Sequence, residues 1–172
     1  AEEIRRASIR AGGPRVLVDA AHGNFHKIDG RFAAFAALAR ADGYRVAGAD
    51  QPVTPALLAT ADVFVIANAV KGGEDAKWVL PTPPAFAPEE VTALAAWVHD
   101  GGSLLLIADE ALAGLSSAEV DEILAILARL NAGGITMIMI EHIMRAVMRF
   151  SSRIVVLDAG QTIADGTPEE TM

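Results

Sequence analysis

Polar residues that can bind metals or move protons recur just beyond the apolar runs of this chain. After Arg15–Asp19 come His22, Asn24, His26 and Asp29, and after Val63–Ala67 comes Asn68. Asp109 and Glu110 follow Ser103–Ala108, and Glu141 and His142 follow Ile135–Ile140. Carboxylates and neutral imidazoles are ligands that zinc, manganese or iron accept. A divalent ion held by them would lower the pKa of its water and polarise a phosphoryl or carbonyl oxygen. Adjacent carboxylates at a partly buried strand end, such as Asp109 and Glu110, are costly to keep charged without a cation or donors. These residues predict a metal-dependent hydrolase of modest efficiency acting on a small activated ester, a phosphoester above all. His22, His26 and Asp109 are the candidate ligands, for zinc or manganese in the first place. Glu110 is the candidate general base, assisted by His142 and Asn68.

Plainer roles fit some of the same residues. Asp29 also suits a helix N-cap, and His142 the start of a helix. His99 ends a helix, where a cation is favourable. Met137, Met139, Met144 and Met148 suit core or interface filling. Trp78 suits the wall of a pocket or the anchor of a loop. The alternatives to the hydrolase are a non-catalytic hybrid fold with idle motifs and a nucleotide-binding fragment without ATPase activity.

The elements that must position these groups alternate between short strands and helices. Strands are expected at Arg15–Asp19, Tyr44–Ala47, Val63–Ala67, Ser103–Ala108 and Ile135–Ile140. Helices are expected at Arg31–Ala41, Pro55–Thr60, Pro88–His99, Ser116 to about Leu130, and Ile143–Phe150. Asp29 would cap the first helix and Gly43 would stop it. Pro88 opens the third with Glu89 and Glu90 at its positive end, and Val91, Leu94, Ala95 and Val98 form its apolar stripe. Ser116-Ser117-Ala118-Glu119 has capping-box spacing. Continuous apolar strands between amphipathic helices mean a mostly parallel sheet covered on both faces. The expected fold is α/β, a three-layer sandwich with strand order 2-1-3-4-5. Ile154–Leu157 is expected to extend that sheet beside the fifth strand. Gln161–Ala164 would follow as an antiparallel edge, after a turn at Asp158-Ala159-Gly160.

Composition narrows the classes. The chain has 172 residues, a net charge of −8, and no cysteine, which excludes disulfides and thiolate metal sites. The acidic balance argues against nucleic acid and anionic membranes as partners. No apolar run is long enough to span a bilayer, and Ala1–Arg6 lacks the apolar core of a signal peptide. A cytoplasmic location is the expectation, with a single α/β domain over residues 1–172.

Two resemblances meet in this sequence. From Leu104 onward it resembles the ATP-binding subunits of branched-chain amino acid ABC importers. The matching text is Leu-Leu-Leu-Ile-Ala-Asp-Glu, Ala-Gly-Leu-Ser-Ser-Ala-Glu-Val, Ile-Thr-Met-Ile-Met-Ile-Glu-His, and Ile-Val-Val-Leu-Asp-Ala-Gly-Gln-Thr-Ile-Ala-Asp-Gly-Thr-Pro-Glu-Glu. The resemblance implies that Asp109 supports magnesium and that Glu110 polarises the attacking water. It implies a D-loop at Gly114-Leu115-Ser116 and a switch histidine at His142. No Gly-x-x-x-x-Gly-Lys-Ser/Thr and no Leu-Ser-Gly-Gly stands in the sequence, so ATP hydrolysis or tight ATP binding is not expected. Residues 14–109 resemble a bacterial glutamine-amidotransferase-like, flavodoxin-like family through Val-Leu-Val-Asp-Ala-Ala-His-Gly-Asn-Phe-His, Asp-Gly-Arg-Phe, Asp-Gly-Tyr-Arg-Val and Gly-Gly-Ser-Leu-Leu-Leu-Ile-Ala-Asp. Without a cysteine nucleophile, amidotransferase chemistry is excluded. The chain thus looks like a chimera of halves 14–109 and 104–172, joined within Leu104–Asp109. Apolar surface around Met137–Phe150 predicts a homodimer.

Overall fold

Two strands with almost no exposed residue anchor the architecture: β1 (Arg15–Asp19) and β3 (Val63–Ala67) are each buried at four successive positions. Val16, Val18 and Val65 face one side of the sheet, where they pack with Val46 and Ala36. Leu17 and Phe64 face the other side and are equally enclosed. Burial of both faces is what a central parallel strand requires, and it explains the unbroken apolar text. In this computed structural model residues 12–72, 83–109, 112 and 115–171 are described.

The remaining elements follow in chain order. Helix α1 (Ala33–Ala41) leads to β2 (Arg45–Ala49), α2 (Pro55–Leu58), and, after β3, α3 (Pro88–His99) and β4 (Ser103–Asp109). Then come α4 (Ser117–Ala132), β5 (Thr136–Ile140), α5 (Met144–Phe150), β6 (Ile154–Asp158) and β7 (Gln161–Gly166). The sheet order is β2-β1-β3-β4-β5, the expected α/β arrangement. The registers of β1 with β2, β1 with β3, and β3 with β4 are all parallel. The chain forms two compact units, Ala1–Ile107 and Ala108–Met172.

Local chemistry sets the helix ends. Thr54 Oγ1 accepts the Leu57 N–H and caps α2. At α4 the capping box is complete: Ser116 Oγ accepts the Glu119 N–H and Glu119 Oε2 accepts the Ser116 N–H. At α1 the expectation fails. Its cap is Phe32, with no side-chain bond, and not Asp29. The Lys27 carbonyl accepts from both Gly30 N and Phe32 N, so a backbone turn sets the entry to the helix. On α3 only Leu94 is buried and Val91 is 55% exposed, so the expected stripe is narrower than its spacing implied. Trp97 also turns inward, and its ring occupies the space where a Cβ of Gly102 would stand.

The second correction concerns the C-terminal strands. β6 and β7 form their own antiparallel pair and do not extend the five-stranded sheet. Asp158 pairs with Gln161, leaving Ala159 (φ +47°) and Gly160 (φ +79°) as a two-residue turn. Positive φ at both positions matches the twist of a tight hairpin, which closes the pair on itself. Arg153 donates to both oxygens of Asp165, at 2.7 and 2.6 Å, across the pair. In the second unit, Leu112, Val120, Leu124 and Ala146 form a small core with Met139, Ile143 and Phe150 packed around it.

Gly102→Ala should displace the Trp97 ring and cost about 1–3 kcal/mol. A urea titration that finds the variant as stable as the parent would show that the ring moves aside freely.

Candidate functional site

The carboxyl end of β1 carries a buried network built from the loop that follows it. Asp19 is fully buried, and His22, Asn24 and His26 are nearly so. His22 Nδ1 lies 2.8 Å from Asp19 Oδ1, and Asn24 Nδ2 donates to Asp19 Oδ2 at 2.9 Å and to the Ala67 carbonyl at 3.3 Å. The Ala21 N–H also reaches Asp19 Oδ1. The other ring nitrogen of His22, Nε2, lies 2.9 Å from Glu90 Oε1 at the start of α3. Both nitrogens therefore face carboxylate oxygens, an arrangement that a doubly protonated ring satisfies at both ends. Phe86 stacks on the imidazole at 3.9 Å.

Glu90 is the member that the sequence did not single out. It was visible only as an acidic residue in the first turn of a helix. In the structure its Oε2 accepts the Ala87 N–H at 2.8 Å and its Oε1 accepts the Val53 N–H at 2.7 Å as well as facing His22. Desolvation, the largest single influence, raises its pKa, but the Ala87 and Val53 amides and His22 together hold it below the ordinary carboxylate value.

This geometry overturns the expected metal site. A ligand nitrogen must present a lone pair to the ion, and both nitrogens of His22 are already engaged by Asp19 and Glu90. His26 sits between the rings of Phe25 and Phe32, at 5.6 and 4.8 Å. Asp109 belongs to the other compact unit. Among the described residues no group of three His, Cys, Asp or Glu side chains could hold a metal ion. Asn68 follows β3 with a left-handed backbone (φ +44°), and Val70, two residues on, donates its N–H to the His22 carbonyl. Glu110 and Trp78 lie outside the described residues.

A second set of polar groups gathers in the unit Ala108–Met172. Asp109 ends β4, and Glu141 and His142 follow β5, its neighbour in the sheet. Glu141 Oε1 accepts the Leu112 N–H at 2.8 Å, which ties the loop after β4 to the end of β5. Its buried Oε2 has no hydrogen-bond partner among the described residues. His142 is exposed and makes no hydrogen bond to a described residue; α5 begins two residues later, capped at Ile143, so His142 does not start that helix.

No family model matches the chain. Over 67 residues, 38% of its length, it is 43% identical to the high-affinity branched-chain amino acid transport ATP-binding protein BraF of Pseudomonas aeruginosa. Over 66 residues it is 42% identical to the energy-coupling factor transporter ATP-binding protein EcfA3 of Oenococcus oeni. Over 64 residues it is 45% identical to a putative ABC transporter ATP-binding protein of Staphylococcus aureus. The matched stretches span 26%, 23% and 11% of those proteins. These relatives are ATP-binding proteins, which, with no metal-holding group among the described residues, overturns the reading of the chain as a zinc- or manganese-dependent ester hydrolase. No helix among the described residues is long and apolar enough to cross a membrane.

Replacing His22 by Phe should keep the stack on Phe86 but strand Asp19 and Glu90 without their shared partner. The expected loss is about 3 kcal/mol, read as a lower urea midpoint. Glu90 also predicts a pH dependence. Its folded pKa lies below the ordinary 4.5. Its stabilisation is therefore present above that value and is lost as pH falls through the folded pKa. Glu90→Gln should flatten the acid limb of stability against pH. Identical slopes in parent and variant would assign acid lability to other carboxylates.

Proposed function

We propose that the chain is a segment of an ABC-type ATP-binding protein and that its unit Ala108–Met172 carries the side that works at magnesium and the γ-phosphate. The observation that carries this reading is 43% identity over 67 residues to a transport ATP-binding protein. The site is consistent with it. Asp109 and Glu141 supply oxygen donors, which suit magnesium, and Glu141 Oε2 is a buried acceptor with no described donor. Asp109 is the residue that would hold the ion, whose charge would offset that of the phosphates. Glu110 would orient and polarise the attacking water. His142, exposed at the end of β5, would donate to the γ-phosphate. The phosphate loop that cradles the remaining oxygens has no counterpart in the 172 residues. In this proposal it comes from another segment or chain, and nucleotide binding by this chain alone is weak.

Titration with magnesium-ATP should show binding in about the millimolar range, weakened at least about tenfold by Asp109→Asn or by chelation of magnesium, and several-fold by His142→Ala. Binding that neither chelation nor Asp109→Asn affects would overturn the proposal, as would no binding at all.

The same unit leaves apolar side chains open. Ile138, Ile140, Met144, Val155, Leu157 and Ile163 are between 48% and 65% exposed. Patches of this kind mark protein interfaces. Self-association, or docking on a transporter subunit, is part of the proposal. Light scattering should give a mass above the 18.0 kDa of one chain, with Leu157→Lys and Ile163→Lys together returning it towards the monomer. A monomer mass at every concentration would remove self-association.

A further inference from the structure

The loop after β1 does more than fold over its own buried network. Its outer side opens a cleft of about 230 Å³ lined by Phe25, Lys27, Asp29 and Arg31 with the backbone of Gly23 and Gly30. β1 is the strand at which the order turns, with β2 on one side and β3 on the other. Open parallel sheets take ligands at the carboxyl ends of the strands flanking such a point.

The cleft is built in advance. Asn24 is clamped from three sides: its amide donates to Asp19 and to the Ala67 carbonyl, and its oxygen accepts the His22 N–H. Beyond it the Lys27 carbonyl accepts from Gly30 and Phe32, which fixes the turn that carries Asp29 and Arg31. A cleft that needs no ordering loses little on binding.

Its charges are unspent. Five other arginines have work: Arg145 and Arg149 share Asp121, Arg153 takes Asp165, and Arg40 and Arg45 donate to backbone carbonyls. Lys27 and Arg31 form no ion pair with a described residue, in a chain of net charge −8. Arg31 is nonetheless placed, with its guanidinium 3.8 Å above the Phe25 ring. That contact positions the guanidinium and leaves N–H donors available for an oxyanion. Lys27 adds a second cation, a pairing that suits phosphate. Asp29 contributes an acceptor to the same cleft, which a hydroxyl of an organic ligand can use. Phe25, 42% exposed, offers an apolar surface for a carbon skeleton.

We infer that this cleft binds a small phosphate monoester whose organic part carries hydroxyl groups. The phosphate meets Lys27 and Arg31, and a hydroxyl donates to Asp29. The site is independent of the nucleotide proposed for the other unit.

Amide NMR of the intact chain, titrated with ribose 5-phosphate, inorganic phosphate and ribose, tests this. Ribose 5-phosphate should shift the signals of residues 23–31 with a sub-millimolar constant, inorganic phosphate should bind at least about fivefold more weakly, and ribose should not bind. Lys27→Ala and Arg31→Ala should each weaken ribose 5-phosphate about tenfold. Both side chains are exposed, so the fold should survive, and unchanged signals from β1 and β3 would verify it. The inference fails if ribose 5-phosphate leaves residues 23–31 unmoved at about ten millimolar, if inorganic phosphate binds as tightly, or if both variants bind like the parent.

Discussion

A single enclosed carboxylate, Asp19, governs the first half of this molecule. It ends β1 with no exposed surface, and a buried charge of that kind is tolerated only when donors and opposite charge surround it. The donors come from the loop that follows, through Ala21, His22 and Asn24. Two of them are then committed to something further away. Asn24 reaches the end of β3, and His22 reaches Glu90 at the start of α3, which in turn holds the Val53 amide ahead of α2. Four segments distant in sequence are gathered at the carboxyl ends of β1 and β3 because one charge must be compensated. The same completeness explains why His22 is no metal ligand.

The periodic parts of this arrangement were legible in the sequence, and the long-range parts were not. Unbroken apolar text marked β1 and β3 because central parallel strands bury both faces. Ser116 and Glu119 announced the start of α4 because a capping box is local chemistry three residues long. Glu90 sits 68 residues from its imidazole partner, and no spacing rule connects them. His22 and His26 were correctly placed beyond β1, but residue type alone cannot tell an imidazole aimed at a ligand from one held between carboxylates. The cap of α1 was misread because Asp29 is a good capping residue, whereas a carbonyl-centred turn at Lys27 determines the helix start. β6 was misplaced because apolar composition says that a strand exists without saying which strand it pairs with. The turn at Ala159-Gly160 settled that locally.

The second unit shows a different relation between sequence and burial. Its strands and helices are apolar enough for a larger core than the one around Leu112, Val120, Leu124 and Ala146. In β5 exposed and half-buried positions alternate, and in β6 only Ile154 is buried. The matched stretch is about a quarter or less of the length of its curated relatives. The apolar side chains left open on β5, β6 and β7 are the ones that the proposed association would cover.

The two strand-end clusters therefore differ in what they can still do. A polar network whose members are all engaged rigidifies its surroundings and has little left to offer a ligand. Around Asp19 both ring nitrogens of His22, both oxygens of Asp19 and both oxygens of Glu90 are used. At the end of β5 the balance is open: Glu141 engages one oxygen and leaves the other buried without a described donor, and His142 stands exposed. Buried acceptors are rarely left that way in folded proteins, so an unmet one marks a place where water, an ion or a substrate belongs. Chemistry is accordingly to be sought where the hydrogen bonding is incomplete. In the first unit that criterion passes over His22, whose ring nitrogens are both engaged, and selects the cations on the outer side of the β1 loop.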